Sequence, residues 1–334
     1  MKIYVVGSGT MGSGIGQVFA MRGYDVTLFD IKEEALRRAI ENIKWSLNKL
    51  KEKDSTIDVD EVMKRISVST SLVDSADSYL VIEAVFEDIN VKADVLMKVS
   101  KLNDSIIASN TSSLPISELS KYVREPERFL GMHFFNPPVL MKLVEVIRGD
   151  HTSDRWFNQA IELVRSINKF PLPVRKDVFG FVVNRVLFKL FISACSMLSN
   201  FTPEEIDYVA MNELGMPLGL IMLLDYTGLD VNYDISKEAL KRGFDFNCPV
   251  LAEMVKQGKL GRKSGKGFYD WSKGKPEVRA NRGPDPKILI RDAVEEARWL
   301  ISQGVVNENE LETGIKLGLG LHNGILELGK KFGL

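Results

Sequence analysis

Six residues near the start of the chain constrain its fold more than any others. Residues 2–6 (Lys-Ile-Tyr-Val-Val) read as a buried strand and run directly into Gly7-Ser8-Gly9-Thr10-Met11-Gly12, a match to G-x-G-x-x-G. A helical stretch follows and ends near Gly23. A second strand, Asp25-Val26-Thr27-Leu28-Phe29, then ends at Asp30. Strand, glycine turn, helix and an acid at the tip of the next strand form the dinucleotide-binding pattern. Gly7 permits the tight turn, Gly9 lets the backbone approach a pyrophosphate, and Gly12 lets helix and strand pack closely. Thr10 and Met11 open the helix whose N-terminus faces the phosphate. Asp30 is placed to accept hydrogen bonds from the adenosine ribose and to repel a 2′-phosphate, so NAD is expected over NADP.

The segments that follow continue the alternation. A charged amphipathic helix covers about 32–53, with Ala35, Leu36, Ala39, Ile40, Ile43 and Leu47 at helical spacing. Its lysines and arginines form either a solvated face or an attractor for an anionic substrate tail. Strands are expected at 66–70, 79–85 and 105–109, with a helix near 89–102. Such alternation implies a mostly parallel, doubly wound sheet with ligands beyond the carboxyl ends of its strands. Three segments emerge at that edge: 83–87, 110–113 and 133–136.

Residues 128–148 add a feature that the pattern does not require. Two apolar runs, 129–135 and 142–147, read as strands turned by Asn136-Pro137-Pro138. Glu145 lies among Leu143, Val144, Val146 and Ile147, so its carboxyl group should be buried and in need of a partner. Antiparallel pairing about 138–139 sets it almost opposite His133. The pair is either a base with its orienting acid or a structural ion pair in a sheet.

Lysine plus arginine (44) nearly balances aspartate plus glutamate (45), which gives no overall basic field for nucleic acid. No segment reaches the roughly 18 apolar residues of a membrane span. Cys195 and Cys248 fall in no CxxC or metal spacing, so no metal is expected and the cysteines read as free, buried thiols in a reducing, cytoplasmic setting.

From residue 180 helical patterns dominate. The run Gly180-Phe181-Val182-Val183-Asn184-Arg185 opens an apolar helix reaching about 199, and Asn184 in its first turn is either a cap-like group or a ligand to something in the cleft. A basic loop spans 261–269 and a linker spans 272–286. An offset of 105 residues lays Glu205-Ile206-Asp207 on Glu310-Leu311-Glu312, and Gly215, Gly219, Gly228 and Leu229 on Gly320, Gly324, Gly333 and Leu334. The expected fold is α/β: a Rossmann-type sheet over 1–179, then an all-α C-terminal domain over 180–275 with an internal repeat over 276–334. Leu289 replaces Asn184 in the second copy, which therefore reads as structural.

Residues 7–12, 109–114, 131–137, 142–147, 180–185 and 261–269 together closely resemble the L-3-hydroxyacyl-CoA dehydrogenase family, from the start to about residue 271. The resemblance implies an NAD-dependent oxidoreductase of fatty-acid metabolism acting on acyl-CoA. It implies that His133 is the catalytic base with Glu145 as its partner, and that Ser112 and Asn184 bind the reacting end of the substrate. It implies NAD contacts from Asp30, Glu87, Lys92, Ser112, Asn136 and Lys263. Residues 285–334 resemble the second repeat of longer, multifunctional members, including fusions to an enoyl-CoA hydratase. A hydratase, fused or separate, is the implied partner, and the chain is either a monomer with an intrachain pseudo-dimer or a homodimer. One departure is Gly219-Leu220, where the family usually has Gly-Pro, so acyl-pocket shape and chain-length preference do not follow from the resemblance. Of the three histidines, His151 lies in a polar turn and His322 in the second copy, leaving His133 as the base. The alternatives are a related hydroxyacid or gulonate-type dehydrogenase of the same fold or a non-catalytic NAD-binding protein.

Overall fold

The apolar runs of the first half pair into one eight-stranded sheet, described here from a computed structural model covering residues 1–334. The strands are β1 (Lys2–Val6), β2 (Asp25–Phe29), β3 (Ile66–Ser69), β4 (Leu80–Glu83), β5 (Ile106–Ser109), β6 (Phe129–Phe134), β7 (Leu143–Ile147) and β8 (Phe170–Val174). Their order is β3-β2-β1-β4-β5-β6-β7-β8, and every pairing is parallel except β6 with β7. The order reverses between β1 and β4, the switch point at which such sheets bind ligands.

The helices of this part are α1 (Thr10–Ala20), α2 (Glu33–Lys51), α3 (Val59–Lys64), α4 (Ile89–Leu102), α5 (Ile116–Leu119) and α6 (Asp154–Ser166). Ile3, Val5, Val26, Leu28, Ile82, Met132 and Val144 of the strands pack against Ile15 and Phe19 of α1, Leu36 and Ile43 of α2, and Phe157 and Val164 of α6. Alternate residues such as Tyr4 and Val6 are equally buried on the other face. That double coverage explains why the strands read as continuous apolar runs rather than as alternating ones. Besides the short helices α3 and α5, two elements were not expected from the sequence. Pro171 and Pro173 lie inside β8, which ends the sheet, where a missing N–H breaks no ladder. The other is α6.

By internal contacts the chain divides into two units, Met1–Val178 and Phe179–Leu334. The second is helical: α7 (Val183–Met197), α8 (Pro203–Asn212), α9 (Leu220–Thr227), α10 (Leu229–Lys241), α11 (Val250–Lys256), α12 (Pro286–Ser302), α13 (Glu308–Leu319) and α14 (Ile325–Lys331). The cysteines are not free thiols, as had been expected. Cys195 of α7 is disulfide-bonded to Cys248, with their Cα atoms 5.5 Å apart. Sequence spacing could not reveal this, because only the packing of the helices brings the two positions together.

Both halves of the helical unit use a buried acid where a helix normally uses a cap. Asp207 accepts from the N–H groups of Ile221 (2.7 Å) and Met222 (2.9 Å) at the start of α9. Glu312 accepts from those of Leu326 (3.0 Å) and Glu327 (3.1 Å) at the start of α14. Each carboxylate satisfies two N–H groups that the helix cannot pair and lies at the positive end of the helix dipole. The glycines ahead of these helices follow from that arrangement: a Cβ on Gly219 or Gly324 would stand 2.1 Å from the carboxylate. Helix α12 packs on α7, where Arg185 pairs with Glu296 and stacks on Trp299 and Phe244.

Gly219→Ala should therefore lower stability by about 1–3 kcal/mol, the usual range for overpacking. Urea unfolding measures it, and an unchanged midpoint would show that the Asp207 contact is slack.

Candidate active site

The turn after β1 is built by close backbone approach. Gly7 has φ +103°, and a Cβ on Gly12 would lie 1.8 Å from the Gly7 carbonyl oxygen. Gly9, by contrast, has open space where its Cβ would point, and no side chain caps α1 behind it. An uncapped helix N-terminus beside an open glycine is what a pyrophosphate needs, so this turn fits NAD. Asp30, at the tip of β2, is tied to the same turn. Its Oδ2 accepts from Ser8 N–H (3.1 Å) and Ser8 Oγ (2.8 Å), and its Oδ1 accepts from Lys32 N–H (3.2 Å).

The hairpin pairs as its sequence implies. His133 on β6 stands opposite Glu145 on β7, with Nδ1 2.7 Å from Oε2. Glu145 is fully buried and His133 is 6% exposed, with the Phe135 ring 4.6 Å from the imidazole. The carboxylate at Nδ1 fixes the orientation of the imidazole ring. The loop beyond β6 carries Asn136, which is exposed. Lys169, not anticipated from the sequence, pins that loop by donating to the carbonyls of Pro138 (2.6 Å) and Met141 (2.5 Å). Burial, with Arg22 nearby, pushes this lysine down to about 8.

Between β4 and β5 the edge is occupied by charge. Glu87 accepts from Thr111 Oγ1 (2.6 Å), Ser112 N–H (2.9 Å), Ser113 N–H (3.0 Å) and Ser113 Oγ (3.0 Å). Lys92 is 1% exposed and lies 3.1 Å from Glu87 and 2.8 Å from Glu83. Burial alone would raise the Glu87 carboxyl, but Lys92 and the hydrogen bonds from Thr111 and Ser112 outweigh it and bring it down to about 2. Burial works against the Lys92 ammonium, yet the two carboxylates hold it above the usual lysine value. The Asn110 side-chain oxygen accepts from Phe134 N–H (2.8 Å), which joins this edge to the His133 strand.

Thus Asp30, Glu87, Lys92, Ser112, His133, Asn136 and Glu145 all belong to the carboxyl edge of one sheet or the hairpin beside it. Asn184 and Lys263 belong to the helical unit. Asn184 is half-buried in the first turn of α7. Lys263 pairs with Asp230, on a loop whose Phe268, Tyr269 and Trp271 donate to Asp225, each at 2.9 Å. Asp225 as the anchor of that loop had no signal in the sequence.

Comparison with known proteins extends this picture. The family model described as "3-hydroxyacyl-CoA dehydrogenase, NAD binding domain" matches residues 2–178, and that described as "3-hydroxyacyl-CoA dehydrogenase, C-terminal domain" matches residues 180–271. A probable 3-hydroxybutyryl-CoA dehydrogenase of Deinococcus radiodurans is 42% identical over 81% of this chain and 100% of its own length. The crystal structure of 3-hydroxybutyryl-CoA dehydrogenase from Escherichia coli K12 superposes with a TM-score of 0.89 at 27% identity, covering 99% of this chain and 91% of that one. A fatty acid oxidation complex subunit alpha from Pseudomonas savastanoi is 33% identical over 97% of this chain, which spans 46% of that subunit.

The Glu87 network has a pH signature. A carboxyl held near 2 in the folded chain, against an ordinary value near 4.5, adds stability above 4.5 and loses it as pH falls toward 2. The stability gap between wild type and Glu87→Gln, read by urea unfolding, should be widest near pH 7 and shrink across that window. A gap independent of pH would mean that the carboxylate charge is not what holds residues 111–113.

Proposed function

Since the chain belongs to the 3-hydroxyacyl-CoA dehydrogenase family, we propose that His133, oriented by Glu145, is the general base and acid of its reaction. The chain is an NAD-dependent oxidoreductase that interconverts a 3-hydroxyacyl-CoA and its 3-oxoacyl-CoA. The observation that carries the assignment of His133 is its contact with the fully buried Glu145, on the β6–β7 hairpin at the edge of the dinucleotide-binding sheet.

Bound NAD supplies the hydride acceptor. The chain must then remove the hydroxyl proton of the (S)-3-hydroxyacyl group, and imidazole suits that task near neutral pH. Glu145 keeps the proton on Nδ1, so Nε2 takes the substrate proton, and the carboxylate then faces the imidazolium that forms. In the reverse direction protonated His133 returns it. Ser112 and Asn184 hold the oxygens of the reacting end, a positioning role. Residues 7–12 hold the pyrophosphate and Asp30 the adenosine ribose. Glu87, Lys92, Asn136 and Lys263 complete the cofactor contacts. Asp30 supports NAD over NADP, because a 2′-phosphate would meet its charge.

Residues 276–334 act as a structural second copy of the helical domain. Helices α12, α13 and α14 follow α7, α8 and α9 in the same order, Glu312 repeats the role of Asp207, and Leu289 is fully buried where the first copy carries Asn184. The α12–α7 contact supports an intrachain pair that takes the place of a dimer. A cytoplasmic location is proposed from the NAD- and CoA-linked chemistry alone; no helix is long and apolar enough to cross a membrane. The Cys195–Cys248 bond removes the argument from free thiols. An enoyl-CoA hydratase, fused or separate, is the partner expected to supply the hydroxyacyl substrate, in line with the match to the oxidation-complex subunit.

NADH consumption at 340 nm with acetoacetyl-CoA and longer 3-ketoacyl-CoAs tests the activity and its chain-length range. His133→Ala should cut kcat at least about a hundredfold with little change in NAD affinity. Glu145→Gln should lower kcat and move the acid limb of the pH profile. Near-normal turnover in the first variant, or an unmoved profile in the second, would sink the respective role.

The second copy has its own test. Ending the chain near residue 275 should uncover apolar α7 surface and drive dimerisation or aggregation, which light scattering detects. A soluble, stable monomer would show that the second copy covers nothing essential.

A further inference from the structure

Glu83 has no catalytic or binding part in the reading above, yet it is a fully enclosed acid at the cofactor edge. It ends β4 with no exposed surface. Its Oε1 accepts from Lys92 Nζ (2.8 Å) and Val85 N–H (2.7 Å), and its Oε2 accepts from Ser109 Oγ (2.6 Å). Both oxygens act only as acceptors, the pattern of an ionised carboxylate.

Glu83, Lys92 and Glu87 therefore make a trio of two negative charges and one positive. Neither carboxylate has a second cation paired with it. Lys92 lies between them, so the trio carries one net negative charge, with Glu83 and Lys92 buried and Glu87 exposed. A strand end does not need this. Burying an acid and a lysine is costly, and an apolar residue would finish β4 as well.

The position gives the charge a use. The trio stands at the carboxyl ends of β4 and β5, on the side of the switch point away from Asp30. A dinucleotide bound across that point has its adenosine half over β1 and β2 and its nicotinamide half toward β4, β5 and β6. The oxidised nicotinamide ring carries a positive charge and the reduced ring carries none. We propose that Glu83, acting through the trio it forms with Lys92 and Glu87, fixes a negative field that favours oxidised over reduced nicotinamide. Glu83 is then a specificity-determining residue for the redox state of the cofactor. The effect is electrostatic and long-ranged, and needs no contact between Glu83 and the ring.

The proposal rests on NAD as the cofactor, and calorimetric titration of the full chain with NAD+, NADH and ADP-ribose separates the two. Glu83→Gln keeps the shape of the side chain and removes its charge. It should weaken NAD+ about five- to tenfold relative to NADH, the order expected for one unit charge in a partly desolvated site. ADP-ribose, which lacks the ring, should bind within about twofold of wild type. Ser109→Ala removes one hydrogen bond of Glu83 but no charge, and should leave the NAD+/NADH ratio where it was. An unchanged ratio in Glu83→Gln overturns the proposal. So does an equal shift in Ser109→Ala, which would make the effect one of packing. If Glu83→Gln does not fold, Glu87→Gln removes one charge from the same trio, and its ratio is read the same way. A wild-type chain that binds neither nucleotide overturns the cofactor reading, and the proposal falls with it.

Discussion

A carboxyl group taken out of water loses hydration worth several kcal/mol, and it stays inside a fold only where donors replace that hydration. This chain meets the requirement repeatedly, with a different donor set each time. Glu145 takes the imidazole of His133, and Glu83 takes an ammonium, a backbone N–H and a hydroxyl. Asp207 and Glu312 take the unpaired N–H groups of helix starts. In the helical unit the acids serve packing: they fix where α9 and α14 begin and exclude side chains from Gly219 and Gly324. In the sheet they lie at the strand edge and on the hairpin proposed to face a ligand.

How much of this the sequence disclosed depended on whether the information was local. The glycine turn, Asp30 and the His133–Glu145 pairing were all legible, because a strand has period two and a hairpin centre fixes the register. An acid with apolar residues on both sides is visible without any structure. Strand β8 was not, since Pro171 and Pro173 argue against a strand, and only its place at the end of the sheet removes the objection. The role of Glu83 was hidden for a related reason. Its segment was known to reach the edge, but the trio depends on the first turns of α4 folding back beside β4. The disulfide, the Lys169 clamp and the Asp225 anchor all join distant segments, and no spacing rule reaches that far.

The repeat illustrates the reverse. Glycines matching at a constant offset were the sequence signal, and one pair of them owes its size to packing, whereas Gly215, Gly228, Gly320 and Gly333 adopt positive φ. Gly219 and Gly324 are small because a carboxylate stands where their Cβ would be. Asn184, which answers to no packing demand of that kind, is free to differ, and the corresponding position holds a buried leucine.

The Asp30–Ser8 contact bears on how readily this protein could be redesigned to use a phosphorylated cofactor. Exchanging the acid at the tip of β2 for a small or basic residue is the obvious first edit. Here that acid also braces the glycine turn through the Ser8 backbone and hydroxyl, and its second oxygen caps Lys32 N–H. Removing it would strip partners from three donors beside the glycine turn at once. A redesign would have to rebuild Ser8 and the start of α2 together with Asp30, so the cofactor preference proposed for Asp30 is tied to the integrity of the whole turn.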